Sequence, residues 1–140
     1  MAAVAAPFMA WQDSWQVGVQ VIDAQHKKLV SLLNDLYEAM KTGRGSALLG
    51  ETLNDLVSYT RSHFAAEEQL MQMHGYPDFA SHKREHEKLT TQVLDFQHQF
   101  SEGTATLSIE IMQFLSSWLQ NHILGTDKKY APFLNAKGVR

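Results

Sequence analysis

The chain contains no cysteine. That absence removes disulfides, iron–sulfur clusters, zinc–thiolate sites and cysteine nucleophiles together. Any metal in this protein must therefore be held by nitrogen and oxygen. Basic charge is also short: 12 Lys and Arg stand against 15 Asp and Glu, a formal net charge of −3. This excludes the positive footprint of a nucleic-acid binder. No run of about eighteen apolar residues occurs, so no membrane span is expected. The apolar opening, Met1 to Ala10, has no basic n-region and is too short for a signal peptide. It reads as an arm that packs or trails, and the expected location is cytoplasmic. Gly43-Arg44-Gly45 lacks the length and the Lys-Ser/Thr of a phosphate loop. A serine-nucleophile elbow is missing as well.

What remains is helix. The 140 residues suffice for one domain, 1–140, with a real core. Residues 1–18 read as an N-terminal arm, with Gly18 as a break before regular structure. Ile22, His26, Leu29, Leu33, Leu36 and Met40 then recur at alternating spacings of four and three, an amphipathic stripe that predicts a first helix over 19–41. Thr42 to Gly45 stops it, and Ser46 can cap the next. The second helix, 47–73, carries Leu49, Leu53, Leu56, Thr60, His63, Glu67 and Leu70 at the same spacing. Gly75-Tyr76-Pro77 ends it. A third, 79–101, carries Phe79, His82, His86, Leu89, Val93, Phe96 and Phe100. The fourth, 105–124, carries Leu107, Ile111, Leu115, Trp118 and His122, and 125–140 forms a short helical tail after Gly125. Four amphipathic helices with short loops predict an all-α, up-down-up-down four-helix bundle.

That topology brings the polar members of the stripes together. His26 is early in the first helix, and His63 and Glu67 are late in the second. His82 and His86 are early in the third; His122 and Asp127 are late in or just past the fourth. All seven fall at one end of the bundle. A lone histidine in an apolar seam is ordinarily a hydrogen-bonded core residue. Five histidines and two carboxylates buried together would leave many polar groups unsatisfied without a metal. Seven ligands exceed the four of a structural zinc. Imidazole suits iron, copper, zinc and nickel, and bridging carboxylates on helices suggest two irons. Five imidazoles, two bridging carboxylates and one bridging oxygen would fill all but one position around two six-coordinate irons. The open position suits a small ligand such as dioxygen.

With its single early histidine (His26), His-x-x-x-Glu (His63, Glu67), His-x-x-x-His (His82, His86) and His-x-x-x-x-Asp (His122, Asp127), the chain resembles the single-domain bacterial hemerythrins from Trp11 to about Leu134. The resemblance implies two iron ions, Fe2+/Fe3+, with an oxo or hydroxo bridge. It assigns His82, His86 and His122 to one iron, His26 and His63 to the other, and Glu67 and Asp127 to both. It further implies reversible dioxygen binding, for storage or for delivery to an oxygen-requiring enzyme, rather than catalysis. The spacing of five from His122 to Asp127 would leave these two on different faces of an α-helix; Gly125 offers a local break that swings Asp127 inward. Phe64, Trp118, Leu119, Ile123 and Tyr130 are the candidates for an apolar oxygen pocket. His74 and His98 read as solvated surface residues. The expected partner is dioxygen and the expected state a monomer.

Three other functions compete. A di-iron oxidase or nitric-oxide-reducing enzyme is disfavoured by the ligand set, because ferritin-like di-iron sites use four carboxylates and two histidines. A stand-alone oxygen or redox sensor would act through a partner. An iron store would take up many irons per chain.

Overall fold

The computed structural model describes residues 8–42, 46–103 and 109–140, which form helices and turns without a strand. Helix α1 (Gln20–Lys41) starts just beyond Gly18, whose φ of +79° lets the arm turn into the bundle. Asp23, in the first turn, accepts the backbone N–H groups of Val17 (2.7 Å) and Gly18 (3.2 Å), placing a carboxylate at the positive end of the helix. At the other end the Thr42 hydroxyl donates to the carbonyl of Glu38 (2.8 Å). Helix α2 (Ser46–His74) closes on Gly75 at φ +70°. There the Tyr76 N–H donates to the Met71 carbonyl (2.9 Å) and the Gly75 N–H to that of Gln72 (3.3 Å), a paired termination that needs the left-handed conformation.

Helix α3 (Phe79–Ser101) matches its expected bounds. Helix α4 (Ile109–Gln120) does not run regularly to residue 124: it passes into a π-helical turn (Asn121–Thr126) and a 3-10 turn (Asp127–Lys129). Helix α5 (Ala131–Ala136) follows, with Pro132 in its first turn, where a missing N–H leaves nothing unpaired. The side chain of Ser46, on which the expected cap rests, the break at 43–45 and the start of the fourth helix, including Leu107, lie outside the described residues.

Helix α1 packs against α2 and α4, and α2 against α3. The arm packs rather than trails over the part described. Phe8 stacks on Tyr37 with centroids 4.5 Å apart, and Met9 exchanges two 2.8 Å hydrogen bonds with the Asn34 amide. Among the described residues the core is two apolar clusters rather than one. The larger runs through Leu29, Leu33, Leu53, Leu56, Phe64, Leu89, Val93, Leu115 and Ile123. The smaller gathers Val17, Val19, Ile22, Met71, Tyr76, Tyr130 and Leu134 around α5. Along α1, α2 and the run into α3 the polar seam residues fall between a member of one cluster and a member of the other. His26 lies between Ile22 and Leu29, Glu67 between Phe64 and Met71, and His82 and His86 between Tyr76 and Leu89. The polar residues form a layer sandwiched inside the bundle.

Candidate metal centre

All seven residues singled out from their spacing meet in this layer. His26, His63, Glu67, His82, His86, His122 and Asp127 are at most 4% exposed. The i, i+4 pairs on α2 and α3 aim both members inward, because residues four apart stand on one face. Nε2 of His26 lies 2.7 Å from Oδ2 of Asp127, and Nε2 of His82 lies 3.0 Å from its Oδ1. Nε2 of His63 is 2.7 Å, and Nε2 of His122 3.0 Å, from Oε1 of Glu67. His122 also approaches Asp127 at 2.7 Å. The ligand atoms form two groups, each within 4.8 Å: His26, His63, Glu67, His122 and Asp127 in one, Glu67, His82, His86 and Asp127 in the other. Both carboxylates belong to both groups. His122 stands with His26 and His63 here, whereas the resemblance pairs it with His82 and His86.

The π-helical turn answers the question of Asp127. Gly125 does not break the chain, and its φ is not in the left-handed region. Instead the wider π turn carries the backbone about one revolution over five residues, so His122 and Asp127 end on the same side. Extra backbone in the helix, rather than glycine flexibility, accommodates the spacing.

The polar atoms are close without being satisfied. Oε1 of Glu67 is buried with no aligned hydrogen-bond donor despite the two near rings, and Nδ1 of His26 and of His122 has no partner. Nε2 atoms face each other at 3.0 Å (His63 and His122) and 3.1 Å (His82 and His86). Two nitrogens bound at right angles to one metal at about 2.1 Å would stand about 3.0 Å apart. The electrostatics agree. Burial, helped by the neighbouring His63, holds His26 well below the ordinary histidine value, and burial with His86 takes His82 to about 3. Burial would raise Glu67, but His63 and His122 outweigh it and hold its carboxyl well below the usual range. Asp127 goes the other way, pushed well up by burial and by the charge of Glu67. Burial lowers His63, but Glu67 and Asp127 overcome it and raise it. Two carboxylates in one dry layer need more positive charge than these imidazoles carry. A nitrogen- and oxygen-liganded cation fits.

Three partners of the layer carry no periodic signal in the sequence. The Tyr130 hydroxyl donates to Oε2 of Glu67 at 2.6 Å, and the tyrosine ring packs on His82 with centroids 5.4 Å apart. Nδ1 of His63 meets Oε1 of Gln25 at 2.6 Å, and Nδ1 of His86 meets Oε2 of Glu68 at 3.0 Å. Of the pocket candidates, Phe64 lies flat on His86, 4.0 Å between centroids and 2° between planes. Trp118, Leu119 and Ile123 are buried in the larger cluster with Phe64. Tyr130 belongs to the other cluster, across the polar layer from them. His98 is exposed and pairs with Glu102 at 3.2 Å. His74 is half-buried at the end of α2 rather than fully solvated. No helix among the described residues is long and apolar enough to cross a membrane.

Comparison with known proteins agrees with this architecture. Residues 17–134 match the family model of the hemerythrin HHE cation binding domain. The chain is 42% identical to a bacteriohemerythrin of Stenotrophomonas maltophilia over 128 residues, covering 91% of this chain and 82% of that protein. It is 39% identical to a bacteriohemerythrin of Methylococcus capsulatus over 129 residues, covering 91% and 98%. A crystal structure of wild-type hemerythrin superposes with a TM-score of 0.83 at 37% identity, covering 89% of this chain and 96% of that one. The buried layer of histidines and carboxylates is thus set in a hemerythrin bundle, and the chain belongs to the hemerythrin HHE cation-binding family.

Proposed function

We propose that this protein binds dioxygen reversibly at a non-haem di-iron centre, as a monomer of one domain, storing the gas or delivering it to an oxygen-requiring enzyme. The observation that carries the reading is the shared position of Glu67 and Asp127, each within reach of both groups of imidazoles. A carboxylate so placed bridges two metals more naturally than it serves one. By the resemblance His82, His86 and His122 would hold one iron and His26 and His63 the other, although His122 stands with the second pair in the structure; Glu67 and Asp127 would be shared by both. When bound, such a pair supplies reversible redox chemistry to dioxygen.

The chain's own residues do the rest. Tyr130 donates to the outer oxygen of Glu67 and orients that carboxylate. Phe64, Trp118, Leu119 and Ile123 would put buried apolar surface beside the layer, which excludes water and anions and slows irreversible oxidation of the metal pair. Histidine-rich ligation with only two carboxylates at the centre suits binding rather than turnover. Reconstitution with Fe2+ under argon, followed by optical spectra through cycles of air and argon, tests the reading. A visible charge-transfer band that appears with air and vanishes under argon is expected. Steady oxygen consumption with an electron donor would replace it with an enzyme, and uptake of many irons per chain with an iron store.

A further inference from the structure

Two of the five imidazoles carry a side-chain partner on the ring nitrogen that faces away from the centre, and the two partners differ in charge. Nδ1 of His86 is paired with the carboxylate of Glu68, and Nδ1 of His63 with the amide oxygen of Gln25. With each Nε2 turned to the centre, the proton sits on Nδ1 and is donated outward. Glu68 is placed differently from its neighbour Glu67. Its side chain is 23% exposed, on the wall of a groove of about 350 Å3 between α2 and α3 that Arg61, Phe64, Glu87 and Thr90 also line. The carboxylate is therefore hydrated, while its hydrogen bond reaches into the buried layer. Gln25 is half-buried on α1 and brings no charge.

We propose that Glu68 and Gln25 are positioning residues that make the two metal positions electronically unequal. The inference rests on the di-iron reading above. A carboxylate accepting from Nδ1–H raises the basicity of the ring more than a neutral amide does. His86 is thereby the stronger donor and favours the more oxidised metal beside it. His63 is the weaker donor and leaves its metal the more easily kept reduced. The two rings belong to different ligand groups, so the bias is between positions. It does not depend on which group His122 completes.

The test uses the full chain loaded with Fe2+ under argon, as wild type, Glu68→Gln and Gln25→Glu. Metal analysis comes first and examines the di-iron reading: a wild-type chain that holds no iron sinks that reading and this inference together. With about two irons per chain in all three proteins, spectroelectrochemical titration then reads the two one-electron couples. Glu68→Gln keeps the shape and the hydrogen-bond acceptor and removes the charge. It is expected to raise one couple by about 59 mV or more, the equivalent of a tenfold loss of ferric over ferrous preference. Gln25→Glu is expected to lower the other couple by a similar amount. Should Glu68→Gln fail to fold, Gln25→Glu decides alone. Couples that stay at their wild-type values while the iron count holds would overturn the proposal and leave the di-iron reading standing. So would equal movement of both couples, which a general change of charge produces.

Discussion

The hydroxyl of Tyr130 donates a 2.6 Å hydrogen bond to Oε2 of Glu67, with both residues at most 1% exposed. The two are 63 positions apart, one on α2 and the other between the 3-10 turn and α5. The contact ties the C-terminal tail to the carboxylate at the middle of the polar layer. Oε1 of the same carboxylate has no aligned donor. Tyr130 is therefore a main anchor of its geometry. Burial first, then the charges of Asp127 and Glu67, keep the phenol well above its ordinary pKa and so protonated as a donor.

Tyr130→Phe removes that donor with almost no change of volume. The iron-free protein is expected to lose about 1–3 kcal/mol, because a buried carboxylate oxygen is left unpaired. Urea unfolding should show a lower midpoint at unchanged slope. An unchanged midpoint would mean that another donor takes over Oε2.

Gly125→Ala distinguishes a glycine break from a π turn. A Cβ at this position meets nothing within 4 Å. The substitution is expected to retain the metal and to stabilise the fold by about 0.5–1 kcal/mol through lower backbone entropy in the unfolded chain. Loss of bound iron in Gly125→Ala would show that glycine at 125, rather than the π-helical backbone, places Asp127.

Metal binding and folding should be linked. A ligand that binds only the native state contributes about 4 kcal/mol at a free concentration of 1,000 times Kd, a Tm rise of more than about 10 °C for a chain of this size. Chelation should reverse the rise. Asp127→Asn preserves shape but removes a shared carboxylate, and calorimetry with Fe2+ should show a much smaller increment. An equal rise in that variant would place the metal elsewhere.

Acid should destabilise the iron-free protein early. His82 sits at about 3 and His26 well below its ordinary value, in both cases chiefly through burial. Between about pH 3 and the ordinary histidine value of about 6.5, the unfolded chain binds more protons than the native one. Stability is thus complete above about 6.5 and falls as pH drops below it. Glu67, lowered, adds to the loss at more acid pH. His63 and Asp127, both raised, act oppositely, and their contributions fade as pH rises. Thermal unfolding of the iron-free protein across pH 4–8 checks this: a Tm that holds flat from pH 6.5 to pH 4.5 would contradict buried neutral His26 and His82.

The sequence by itself determined the helices, the ligand types and their common end of the bundle. Helical periodicity is a local property: His63 with Glu67 and His82 with His86 share a face because of bond geometry within one turn. Short loops force neighbouring helices to alternate, which brings the ends carrying His26, Glu67, His82 and His122 together. The absence of cysteine settled the donor chemistry in the same direct way.

Tertiary structure decided what no local pattern encodes. A π turn has the same residues as an α turn and differs only in how its hydrogen bonds close, so the spacing from His122 to Asp127 looked like an interruption at Gly125. The partners of the layer, Gln25 to His63, Glu68 to His86 and Tyr130 to Glu67, lie 38, 18 and 63 positions apart. Each arises from the packing of one element on another. Tyr130 likewise reads as one more aromatic near the site, and only the fold puts it across the polar layer from Phe64. Long-range side-chain contacts depend on the relative rotation and height of packed helices, and these emerge only when both apolar clusters close around the polar layer.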